Sequence, residues 1–306
     1  MSAGVPSTAA ADAAVAQSRE PEIRDAASTA PPPAALLHWT RGANLARAQK
    51  LRPYRRQKSD PLYRPLRIYA LDPSQSKLKG AVATVNVPYE PFTPHDDNRL
   101  VGGLFEIDPR DGAREGYEYA AINLDDRTLL MTQGVQPSPS NPHFHQQMTY
   151  AVASSVYNTF KLALGRDLSF GFRRTSDDQP ERLTLAPFAA DMRNAYYDPN
   201  DGSIRFGYFA ATRATDARVP PGGFVFTSMS HDIIAHEVSH ALLDGLRTRF
   251  TIPTNPDVLA FHEAIGDIVA ILQHFSYPEV VNAAIRGTSG DLRKESFLAD
   301  LAGEFG

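Results

Sequence analysis

The spacing of apolar positions changes near residue 140, and that change predicts the order of the elements. Between about residues 65 and 135 the pattern is short and strand-like. Leu66-Arg67-Ile68-Tyr69-Ala70-Leu71 and Ala81-Val82-Ala83-Thr84-Val85-Asn86-Val87 alternate or run apolar, with a polar turn around Asp72 to Ser76 between them. Residues 104–107 and 117–130 read as further short strands, punctuated by Asp108-Pro109 and Asp111-Gly112. After the turn cluster at residues 136–142 the period becomes helical. Phe144, Met148, Ala151, Val152, Val156, Phe160 and Leu164 recur at three- and four-residue steps, and Gly165 is placed to end that helix. A hairpin follows, from Asn194-Ala195-Tyr196-Tyr197 through the turn Asp198-Pro199-Asn200-Asp201-Gly202 to residues 203–209. Two more helices are expected, over about 228–246 and 256–275. The fold class is α+β: an N-terminal arm, an antiparallel β-rich region, then a core with two facing helices.

The first 36 or so residues break this patterning. They are rich in Ala, Ser, Thr and Pro and end in Pro31-Pro32-Pro33, so they bury too little apolar surface to offset their ordering entropy. A basic stretch follows, with Arg41, Arg47, Lys50, Arg52, Arg55, Arg56, Lys58, Arg64 and Arg67 and one acid, Asp60. A solvated linker explains it more simply than an arm for an acidic partner. The division is therefore 1–60 as a disordered basic arm, 61–140 as the β-rich region and 141–306 as the core.

Composition narrows the function. Over 306 residues, 31 Lys+Arg against 35 Asp+Glu give a net charge of −4, which argues against a nucleic-acid partner. The absence of cysteine excludes disulfides, thiolate catalysis, zinc fingers and iron–sulfur clusters. Any metal site must use His, Asp and Glu. No apolar run reaches the roughly 18–20 residues that span a bilayer. Without a secretory signal at the N-terminus, the cytoplasm is the default location, with signal-independent export left open.

The chemistry concentrates in His236-Glu237-Val238-Ser239-His240, the H-E-x-x-H pattern. Positions i and i+4 share a helix face, so both imidazoles can reach one zinc ion, and Glu237 beside them can deprotonate a bound water. Zinc with two His ligands needs a third. Glu263, on the next helix in Phe261-His262-Glu263-Ala264-Ile265-Gly266-Asp267-Ile268, can supply it. Asp267, one turn on, can accept a hydrogen bond from the other nitrogen of one ligand imidazole. Asn255-Pro256-Asp257 reads as an N-cap, an N1 proline and a first-turn acid, starting that helix where it is needed.

These residues resemble the thermolysin-like gluzincin metallopeptidases. In that family a Glu in an E-A-x-x-D-I helix is the third zinc ligand and the following Asp supports a ligand histidine. The helix ending in Leu164-Gly165-Arg166, the Asn194-Ala195-Tyr196-Tyr197 segment, and Asp232 through Asp244 are also similar, so the likeness covers about residues 144–275. It implies a zincin-like core, one catalytic Zn2+, His236, His240 and Glu263 as ligands, Glu237 as general base, and peptide binding by Asn194 and Ala195. Substrate would pair with residues 203–209 as an edge strand.

The departures from the family carry expectations too. Where it has a Tyr oxyanion donor, this chain reads Arg247-Thr248-Arg249-Phe250-Thr251, so Arg247 or Arg249 becomes the candidate oxyanion or carboxylate contact. The family's C-terminal helical lobe, with its other donor, would lie beyond Gly306, which makes the chain a fragment or a divergent member. His274 replaces a calcium-binding acid, so calcium is not expected. The functional expectation is a zinc-dependent endopeptidase acting on peptide or protein. Two alternatives are a catalytically impaired peptide-binding scaffold and a zinc hydrolase of non-peptide amides or esters. His143 and His145 read as helix-start residues. His231 and His262 adjoin the site without an assigned role.

Overall fold

The computed structural model describes residues 53–71, 73, 81–94, 98–172, 181–211, 223–247, 254–291, 293 and 294. The expected N-terminal arm up to residue 52, most of the turn after Leu71, and Arg249 lie outside the described residues. The described chain is mixed α+β.

The first expected strand pair forms. β1 (Tyr63–Tyr69) and β2 (Val82–Pro88) pair antiparallel, Leu66 opposite Val85 and Ile68 opposite Ala83. Their alternation turns Leu66, Ile68, Ala83, Val85 and Val87 into the core. Four short or medium strands follow in the second sheet: β3 (Thr93–Pro94), β4 (Leu100–Val101), β5 (Phe105–Ile107) and β6 (Leu183–Asp191). β7 (Ala195–Asp198), β8 (Ser203–Ala210) and β9 (Phe224–Phe226) complete it. The order is β3-β4-β5-β6-β8-β7, with β9 also on β8. β5–β6 and β6–β8 are parallel and the other pairs antiparallel. β5 of the β-rich region thus pairs directly with β6 of the expected core, and one sheet runs through both.

Residues 117–130 depart from the strand expectation. A single bridge, Arg110 with Glu118, is followed by a helix, α1 (Arg127–Thr132). The cause is local. Asp126 accepts from the Thr128 and Leu129 N–H groups and caps the helix. Upstream, side chains substitute for a neighbouring strand: Asn98 Oδ1 accepts from Ala121 N–H and Gln146 Oε1 from Ile122 N–H.

The central helix, α2 (Pro142–Leu164), starts with Asn141 accepting from His143 N–H and ends at Gly165, whose φ of 64° is the left-handed conformation glycine tolerates. It is buried nearly all round from Phe144 to Tyr157 and packs on β1, β2 and α3 (His231–Leu246). α4 (Pro256–His274) packs on α3, and α5 (Pro278–Thr288) follows. The cap expected at Asn255 is present, its side chain accepting from Val258 N–H. Among the described residues no single helix is long and apolar enough to cross a membrane.

His145 links α2 to the turn that launches α3. Its Nε2 lies 2.7 Å from the Pro139 carbonyl and its Nδ1 3.2 Å from Ser228 Oγ. That pattern suits a neutral ring, donating from Nε2 and accepting at Nδ1. Burial pushes the His145 imidazole down to about 4. A depressed folded-state value means the unfolded chain binds this proton first, so the stabilising contribution is present above about pH 6.5 and lost as pH falls. Between about pH 7 and pH 4.5 His145 is expected to withdraw about 2 kcal/mol, and His145→Asn should remove that part of the slope. Urea unfolding at both pH values checks this; equal slopes in the two proteins would contradict it.

Candidate metal centre

Two adjacent turns of α3 present His236 and His240, their ring centroids 4.5 Å apart. The helix holds this face because Ile234, Ala235, Val238, Ala241 and Leu242 are buried on its other sides. α4 brings Glu263 between the rings. His236 Nε2 lies 3.1 Å from Glu263 Oε2 and His240 Nε2 lies 3.6 Å from Glu263 Oε1. The three donor atoms are within 4.8 Å of one another, a group that could hold a metal ion. The two nitrogens and one carboxylate expected from the sequence are therefore together, with the Glu263 side chain 64% exposed and open to ligands.

The approach of the helices depends on Gly266. A Cβ there would stand 2.7 Å from His236 Nδ1 and 2.8 Å from its Cε1. Any larger residue would push the ring out of line with Glu263. Asp267 then reaches the same ring from the next position, with Oδ1 2.9 Å from His236 Nδ1. An Nδ1–H donated to Asp267 leaves the Nε2 lone pair pointing at Glu263. Asp267→Ala is expected to weaken metal affinity about 10- to 100-fold. Competition with a chromophoric chelator measures this, and unchanged affinity would remove Asp267 from the site.

His262 does the equivalent for the other ring, a role the sequence did not assign. Its Nδ1 lies 2.6 Å from His240 Nδ1. With His240 donating from Nδ1, its Nε2 is free to face Glu263. Burial, then the neighbouring His236 and His262, pushes His240 down to about 3, so it stays neutral and keeps a lone pair to offer. The one sequence signal was adjacency to Glu263. Nothing in helical spacing showed that the preceding residue would reach back to α3.

Glu237 points into a cavity of about 280 Å³ lined by Arg193, Asn194, Ala195, Thr227, Asp232, Ile233, His236, Asp267 and Ala270. Its Oε2 accepts from Tyr197 N–H at 2.9 Å, and Tyr197 Oη donates to Asp244 Oδ2 at 3.1 Å, so β7 is tied to α3 twice. Burial, reinforced by Glu263 and opposed by the Tyr197 N–H, pushes Glu237 up to about 8. A cation beside it would favour the ionised form.

Two placements differ from expectation. β8 is not an edge: β6 flanks one side, while β7 covers Ser203 to Phe206 and β9 covers Tyr208 to Ala210 on the other. β7 takes the outer position, so Asn194 and Ala195, both lining the cavity, sit at the border that residues 203–209 were expected to form. The hairpin turn simply folds β7 outboard. Arg247 is the C-cap residue of α3 and does not line the cavity. Arg193 does, with its guanidinium 4.6 Å from the Phe209 ring centroid. Its neighbour Asn194 was the signal that could have found it. No protein-family model matches this sequence and no curated protein matches it.

Proposed function

We propose that this chain is a zinc-dependent endopeptidase with a zincin-like core, His236, His240 and Glu263 holding the metal and Glu237 serving as general base. The observation that carries the reading is the convergence of two α3 imidazoles on one α4 carboxylate, with a buried Glu next to the first of them. The donor set fits zinc: two imidazole nitrogens and one carboxylate, with an exposed side left for a further ligand. A zinc ion bound there would acidify a water and polarise a carbonyl.

The chain's own residues would do the rest. Glu237, held at one oxygen by Tyr197 N–H, would take the proton of the attacking water and deliver it to the leaving amine. Along β7, alternate backbone groups bond to β8, while those of Ala195 face outward and the outward Tyr197 N–H is already taken by Glu237. An extended peptide could add to that border, with Asn194 and Ala195 against its backbone. Arg193 would replace Arg247 as the contact for a substrate carboxylate or carbonyl oxygen.

A mixture of internally quenched peptides tests this. Zinc-loaded protein should cleave internal bonds, lose that activity to a chelator and regain it with zinc. Folded, zinc-replete protein that leaves the whole panel intact would overturn the peptidase reading.

A further inference from the structure

A second metal-capable group lies one helical turn before His236. His231 and Asp232 open α3, and His274 closes α4. All three are buried, at 1%, 6% and 1% exposure. His231 Nδ1 is 3.2 Å and His274 Nε2 2.7 Å from the same atom, Asp232 Oδ1. One donor atom from each residue lies within 4.8 Å of the others. The remaining nitrogen of His231 is already occupied, Nε2 lying 2.9 Å from Tyr277 Oη. That contact holds Nε2 toward Tyr277 and Nδ1 toward Asp232.

His274 lies on the other side of Asp232, its Nε2 2.7 Å from Oδ1, and its buried Nδ1 finds no hydrogen-bond partner. Two imidazoles and one carboxylate are the donors of a transition-metal site. Bonds of about 2.0–2.1 Å at tetrahedral angles put such donors about 3.3 Å apart; His231 Nδ1 and Asp232 Oδ1 stand 3.2 Å apart, and His274 Nε2, at 2.7 Å, would move outward to admit an ion.

We propose that His231, Asp232 and His274 form a second site for a zinc-class divalent cation, separate from the one at His236, His240 and Glu263. It needs no peptidase activity and does not rest on that reading. An ion has a route in, because Asp232 lines the 280 Å³ cavity that also holds His236 and Glu237. Calcium is a poor candidate, since it wants six to eight oxygen ligands and finds one carboxylate here.

The test is metal stoichiometry on the full chain after dialysis against zinc. Unsubstituted protein should hold two equivalents. His236→Ala/His240→Ala should keep one, and adding Asp232→Asn to that variant should remove it. Calcium should bind to none of them. A folded His236→Ala/His240→Ala protein that binds no zinc overturns the second site without touching the first. Should that variant fail to fold, cobalt titration of the unsubstituted protein and of Asp232→Asn decides: loss of one of two equivalents supports the site, and an equal count in both overturns it. An unsubstituted protein that holds only one equivalent, unaffected by His236→Ala/His240→Ala and lost with Asp232→Asn, would support the second site and defeat the first.

Discussion

Glu237→Gln is expected to lower peptide turnover about 10²- to 10⁴-fold while metal content stays unchanged. The substitution is close to isosteric in a residue only 8% exposed, so little packing is lost. Its amide oxygen can still accept the Tyr197 N–H that now reaches Oε2. What disappears is a basic oxygen able to take a proton from water. Because Glu237 is not one of the three converging donors, zinc should remain. The predicted signature is a fall in kcat with unaltered zinc by elemental analysis. Undiminished turnover would take Glu237 out of the mechanism.

His240→Ala should release the ion shared with His236 and Glu263. Removing that ring leaves one imidazole and a carboxylate whose side chain is 64% exposed, too few donors to hold zinc through dialysis. It also strips His262 of the nitrogen 2.6 Å from its own Nδ1. Zinc content should drop by one equivalent, and zinc-dependent hydrolysis should vanish with it. Thermal unfolding with and without zinc gives an independent reading, since a ligand that binds only the folded state raises Tm. Full zinc occupancy in the variant would contradict the ligand assignment.

Much of this site was legible because helices make spacing into geometry. His236 and His240 at i and i+4 had to share a face, and Asn255-Pro256 had to start α4 in time to present Glu263. Asp267, four residues on, followed from the same rule and sits where it predicted. Contacts set by the distance between helices were not legible. Gly266 reads as an ordinary break in helix propensity until its missing Cβ is seen to make room for His236. His262 depends on how α4 is rotated against α3, which no single helix encodes. The fold shows the same division. Residues 117–130 looked like strands because their apolar positions are closely spaced, but Asp126 and the side chains of Asn98 and Gln146 supplied hydrogen bonds that a sheet would otherwise have provided. β8 looked like an edge because hairpin spacing says which strands pair and not which one ends outermost.

The most direct measurement is an anomalous difference map at the zinc absorption edge from crystals grown with zinc. A peak is predicted about 2.0–2.2 Å from His236 Nε2, His240 Nε2 and one Glu263 carboxylate oxygen, with Glu237 beside it and not bonded to it. No density among those three groups, or a Glu263 carboxylate turned away from both rings, would contradict the account.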